Sequence, residues 1–172
     1  MIVQTPWVQR SFNFDFPAGL FPVIFSRLEG SILRLHALLA NADDDWCSRR
    51  TTGWSVKEHV GHLYDLGELW WKRLQDFTEG KEVLTAADMS NTRTEEAHHN
   101  ESGLEKLLQQ FTVERQRLLE TVYGFDHIML SRTALHPRLK QPMRLVDSLY
   151  FVAEHDDHHI AVLSGLLRKP AG

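Results

Sequence analysis

The chain has 172 residues with a formal charge of -4, 42% of them hydrophobic and 24% charged, which suits one soluble globular domain with a sizeable core. No basic block is present, so nucleic acid is excluded as the main partner, because neutralising phosphates takes clustered Lys and Arg. Cys47 is the single cysteine, so no intrachain disulfide can form, and no apolar run approaches the ~20 residues of a membrane span. Met1–Asp15 lacks the basic start and apolar stretch of a signal peptide, and a cytoplasmic setting is expected.

Residues 1–16 carry Trp7, Phe12, Phe14 and Phe16 at or near alternation and read as an extended arm that lays its aromatics on the body. Pro17 and Pro22 lead into a first helix, expected over roughly 20–41, with Phe21, Ile24, Leu28, Ile32, Leu35 and Leu39 near helical spacing. Pro22 is compatible with a first turn only. Residues 41–53 are polar and end in Thr51-Thr52-Gly53, a loop; Cys47 reads as a small residue at its edge rather than a nucleophile, since a lone thiol specifies little.

The second helix has a marked start. Ser55-Val56-Lys57-Glu58 matches a capping box, and Trp54 before it can staple onto the first turns. This helix should run to about Phe77, with Gly80 as its stop. Trp70, Trp71 and Phe77 at helical spacing read first as core, with a pocket lining as the alternative. Residues 81–100 look irregular or partly helical: Asp88-Met89-Ser90-Asn91-Thr92 reads as a loop, and His98-His99, in a Glu-rich stretch, are expected at the surface. A third helix is expected over roughly 101–122, stopped by Gly124. In 125–142, His136-Pro137 and Gln141-Pro142 argue against helix. The fourth helix should span roughly 143–168, closed by Lys169-Pro170.

Four long helical patterns, no convincing strand and no internal repeat predict a single all-α domain over 1–172, a four-helix bundle. The linkers 81–100 and 125–142 are long for simple hairpins, so at least one long crossover connection is expected.

The run Glu154-His155-Asp156-Asp157-His158-His159 carries the chemistry. His155 and His159, four residues apart, project from adjacent turns of one helix face, with a rise of roughly 6 Å between them. At about 100° per residue, His159 falls ~20° and His155 ~60° from the centre of the apolar stripe, while His158 falls ~120° away, toward water or a neighbouring chain. Two core histidines would each need separate partners; one cation satisfies both. A third ligand must come from another helix. The second helix offers His59, ~40° from Leu63, and His62, ~100° away. Periodicity weakly prefers His59, but metal sites also lie in clefts beside an apolar stripe. Asp65 and Asp156 are candidates to orient ligand histidines, or else ordinary acids.

The motif Trp54-Ser55-Val56-Lys57-Glu58 … His62-Leu63-Tyr64-Asp65, followed downstream by Glu154-His155-Asp156-Asp157-His158-His159, resembles the DinB-like superfamily, which includes the YfiT-type proteins. The resemblance implies a four-helix bundle with a divalent metal, zinc or nickel first, on His62, His155 and His159. His59 then becomes a packing or supporting residue. It also implies a small-molecule substrate and an enzyme that uses a low-molecular-weight thiol in S-transfer or isomerisation, with hydrolysis second. The alternative is a metal-containing binding or stress-response module without turnover. The sequence marks no additional Cys, Ser or Lys nucleophile. A homodimer through helices one and three or the arm is expected, as is loss of metal below about pH 6 as histidine protonates.

Overall fold

In the computed structural model, which describes residues 3–51 and 53–168, four rods of helix pack side by side. The first is α1 (Phe21–Leu39), with Pro22 in its opening turn, where a missing N–H costs nothing. A short α2 (Asp44–Cys47) follows, capped by the Asp43 side chain on the Trp46 amide. Cys47 is wholly buried here, and burial pushes its thiol up to about 11, so it is a core residue and not a ready thiolate.

The second rod is two helices, α3 (Val56–Asp65) and α4 (Gly67–Glu79), where the periodicity predicts one. The helical bonds continue across Leu66, from its amide to His62 O and from the Trp70 amide to Leu66 O. The interruption falls at Leu66, the cap of both helices with ψ of -10°, just before Gly67, a poor helix former. Gly80 ends α4 in the left-handed conformation, as a glycine stop should. After α5 (Thr92–Glu96) come the third rod, α6 (Leu104–Val122), and a short α7 (His127–Leu130).

The expectation of no strand is overturned. Residues 133–136 and 141–144 form an antiparallel hairpin, β1 (Thr133–His136) and β2 (Gln141–Arg144), with Leu135 opposite Pro142. Four residues are too few for alternation to stand out, and Pro142 reads as a breaker although an edge strand tolerates it. Leu84 N and Glu82 O bond Leu135 of β1, so this hairpin also ties down the linker after α4.

The last rod is α8 (Leu145–Arg168); the expected stop at Lys169-Pro170 lies outside the described residues. The packed pairs are α1 with α8 and α6, and α3 with α6 and α8. Round the bundle the rods therefore run α1, α8, α3–α4, α6. Consecutive rods α1 and α3–α4 lie across a diagonal, as do α6 and α8, and this is the crossover that the long connections allow. Among the described residues no helix is long and apolar enough to cross a membrane. The arm packs on α8: Trp7 and Phe12 sit 4.9 and 4.8 Å from the Phe151 ring.

Candidate metal centre

Two elements bring the imidazoles together. α3 starts rigidly. The Ser55 hydroxyl accepts from the Glu58 amide at 3.1 Å, the Glu58 carboxylate accepts from the Ser55 amide at 2.8 Å, and the Arg50 guanidinium clamps that carboxylate. Trp54 does more than staple. Its indole N–H donates to Glu95, 2.6 Å away, and its ring lies 4.7 Å from that of His62. From α8, His155 and His159 point inward with their Nε2 atoms 3.2 Å apart. His62, His155 and His159 are all buried, and one nitrogen from each lies within 4.8 Å of the others.

Hydrogen bonds hold two of the three rings, while His155 Nδ1 is buried without a partner among the described residues. The Thr94 hydroxyl donates to Asp65 at 2.9 Å, so its oxygen accepts from His62 Nδ1 at 3.1 Å. That holds the His62 proton on Nδ1 and leaves Nε2 with a free lone pair. His159 Nδ1 meets His59 Nδ1 at 2.9 Å, which turns its Nε2 toward His155. Asp65 also receives His99 Nε2 at 2.8 Å. Burial works against the Asp65 charge, but the bonds from His99 and Thr94 and the Arg93 cation hold its carboxyl below the ordinary range.

Burial also keeps the rings neutral. It pushes His62 down to about 4, with the His59 and His99 charges adding to the effect against Asp65. His59 falls to about 4 by burial and by His158. His155 and His159 are pushed well below their usual value by burial and by one another's neighbours. Neutral imidazole is the ligating form. Two nitrogens on one tetrahedral zinc at ~2.0–2.1 Å would stand roughly 3.3 Å apart, which matches the 3.2 Å between His155 and His159. The donor set therefore fits a divalent ion.

The structure brings His62 rather than His59 to the pair on α8; His59 stands behind His159. Asp65 supports His62 through Thr94, one atom further out than a direct bond. Asp156 meets none of the three. It is fully buried and accepts from Ser31 Oγ at 2.9 Å and Arg115 Nη2 at 2.7 Å. One residue on from His155 is ~100° round the helix, and that turns its carboxylate toward α1 and α6. His158 is half-buried, against Gln4 and Trp7. The surface expectation for His99 is overturned, since it is buried beside α3. Neither Thr94 nor His99 carried a motif that would have singled it out.

The three imidazoles form one wall of a cavity of about 190 Å³. Trp7, Trp54, Trp70 and Phe151 supply its aromatic faces, and Trp7 and Trp70 approach the His155 ring edge-on at 4.9 and 5.8 Å. Trp70 is thus both core and lining, whereas Phe77 is core only. No Ser, Thr, Cys or Lys is among the described residues lining the cavity.

Comparison with known proteins agrees with this architecture. The DinB superfamily matches residues 27–163. YfiT from Bacillus subtilis, described as a probable metal-dependent hydrolase with an unusual four-helix bundle topology, superposes with a TM-score of 0.80 at 20% identity, covering 92% of each chain. A mycothiol-dependent maleylpyruvate isomerase superposes with a TM-score of 0.70 at 12% identity, over 90% of this chain and 63% of that one. At these identities the likeness establishes the fold. No curated protein matches the sequence.

Proposed function

We propose that this chain, which belongs to the DinB superfamily, is a divalent-metal enzyme acting on a small molecule, by transfer to a low-molecular-weight thiol or, as the second chemistry, by hydrolysis. The observation that carries this reading is the meeting of three buried, neutral imidazoles from α3 and α8 at the wall of a cavity. His62, His155 and His159 would hold the ion, zinc or nickel first. With no carboxylate in the ligand set the ion keeps its full charge, which favours the deprotonated form of a water or thiol near neutral pH.

The remaining residues bind and orient. Thr94 and Asp65 lock the His62 tautomer, and His59 Nδ1 orients the His159 ring. The aromatic walls exclude water and so strengthen every charge interaction inside. The described residues of the lining include no hydroxyl, thiol or amine side chain, which favours a nucleophile that arrives with the substrate, as a thiol or as water. A thiol-dependent isomerase and a protein described as a metal-dependent hydrolase share this fold, and they supply the two chemistries considered.

Metal analysis of purified protein loaded with zinc or nickel should find one ion per chain, and His155→Ala should lose it. Loaded protein should accelerate conjugation of a small thiol to an electrophile, or cleavage of an ester or amide, and His155→Ala should return either rate to background. A chain that takes up no ion, or a His155→Ala variant as active as its parent, overturns the proposal.

A further inference from the structure

Opposite the imidazoles, the same cavity carries two arginines that form no salt bridge among the described residues. Arg73 on α4 is buried, and its one hydrogen bond among the described residues runs from Nε to the Thr85 carbonyl at 2.9 Å, leaving both Nη groups over. Arg138, in the turn between β1 and β2, donates Nη1 to the Val8 carbonyl at 3.2 Å, while its Nη2 is buried without an acceptor. His136 at the end of β1 is 1% exposed. Its Nδ1 accepts from the Leu139 amide at 3.1 Å, which puts the ring proton on Nε2, and that donor too is buried and unmatched. All three line the cavity that holds His62, His155 and His159.

No acid pairs directly with these cations among the described residues. Asp76, whose charge acts on Arg73, is held by Lys81 Nζ at 2.8 Å and by the Thr85 amide at 2.6 Å, and Asp88, which also lines the cavity, accepts from the Ser90 and Thr92 amides. Arg73 is pushed down to about 10, by burial and then by the Arg138 charge facing it, although Asp76 acts the other way. His136 is pushed down to about 3 by burial and by both arginines. Aromatic rings fix the donors in place: the Arg73 guanidinium lies 5.5 Å from the Trp70 ring, and Arg138 and His136 lie 5.8 and 5.2 Å from that of Phe151. Buried donors are normally matched, and like charges are normally kept apart. Water could match the donors but would leave the two cations repelling one another. A bound anion removes both costs, and guanidinium with imidazole N–H is the donor set that takes oxyanions.

We propose that Arg73, Arg138 and the His136 Nε2–H form a subsite for the carboxylate or phosphate of the substrate, which turns the other end of that molecule toward the three imidazoles. Only this last clause rests on the metal reading; the subsite itself stands on its own donors. A cavity of about 190 Å³, against the ~150 Å³ that admits benzene, limits the substrate to a small acid or phosphate ester.

The test is calorimetric titration of chelator-treated full-length protein with succinate, inorganic phosphate and uncharged succinamide, beside a separate zinc titration. Succinate or phosphate should bind once per chain in the millimolar range, and succinamide should not. The tighter of the two anions tells which oxyanion the substrate carries. Arg138→Gln removes one cation at a half-buried position. His136→Asn keeps an acceptor for the Leu139 amide and deletes only the Nε2 donor. Each should weaken the anion about tenfold, the loss of one charge-assisted hydrogen bond, with zinc uptake unchanged. The subsite is refuted if neither anion binds, if succinamide binds as well as succinate, or if both variants bind like the parent. Zinc without anion binding sinks the subsite alone; anion binding without zinc sinks the metal reading alone.

Discussion

Thr94 shows how much of a candidate metal site lies outside the histidines that would hold the ion. Its hydroxyl relays Asp65 to His62 Nδ1 and so decides which lone pair faces His155 and His159. Groups that orient a ligand histidine typically change metal affinity ~10–100-fold. Thr94→Val should therefore weaken zinc binding by about that factor in a chelator competition, while Thr94→Ser, which keeps the relay, should bind like the parent. Equal affinity in Thr94→Val would show that the tautomer is set elsewhere. At this scale the sequence was informative in an uneven way. His155 and His159 are legible because both ligands sit four apart on one helix. Angle weakly favoured His59 over His62 and so misled, because α3 is buried on almost every side and a stripe centre has little meaning there; only the resemblance to a family chose His62. Arg73 comes from α4 while His136 and Arg138 sit in the β1–β2 hairpin, and no spacing in the sequence links the two.

Among the elements, α3 depends on a residue that no periodicity marks. A Cβ on Gly61 would lie 2.3 Å from the His99 ring, well inside contact, and His99 is the buried ring that donates to Asp65. Gly61→Ala forces that ring aside, so it should cost about 1–3 kcal/mol by overpacking and weaken zinc binding together with stability, both readable from thermal melts with and without the ion. His99 was expected at the surface because its neighbours in sequence are polar; the glycine that admits it lies far away in the chain. On the opposite side of the bundle, Asp156 joins α8 to Ser31 of α1 and Arg115 of α6. Burial raises its pKa despite the Arg115 charge, so desolvation outweighs the pairing. Removing one partner then strands the other: Arg115→Met should destabilise the fold by about 3–5 kcal/mol in denaturant unfolding. An Arg115→Met, Asp156→Leu double variant should recover much of that loss, because apolar neighbours of similar volume replace a buried pair at little cost. The helices themselves were legible from caps and spacing, whereas the break at Leu66 and the β1–β2 hairpin were not, being too short to carry a period.

For the molecule as a whole, the buried histidines make stability a function of pH. An unfolded chain protonates its histidines near 6.5. In the fold, His59 and His62 stay neutral to about 4 and His136 to about 3, with burial the leading cause in each. Between those values the unfolded state binds protons that the native state refuses, so stability falls as pH falls. The contribution is complete above roughly 6.5 and drains away down to about 4, at up to ~1.4 kcal/mol per pH unit for each group. Asp156 works in the opposite sense, since its raised pKa favours the native state as acid is added, but it is one group against several. Carboxylates such as Asp65, held below their ordinary range, lose their share only under about pH 4. Several histidines acting together reach the ~5–15 kcal/mol that separates a folded domain from an unfolded one. Metal-free protein should therefore unfold cooperatively between about pH 6 and 4, ahead of ordinary carboxylate titration. Bound zinc should move that midpoint to lower pH, because protons and the ion compete for the same nitrogens. Loss of metal from the native state should also wait until well under the pH 6 expected of free imidazole. A melting temperature that stays level from pH 7 to 4 would mean that these rings are not held neutral inside the bundle, and the argument for a preformed ligand set would go with it.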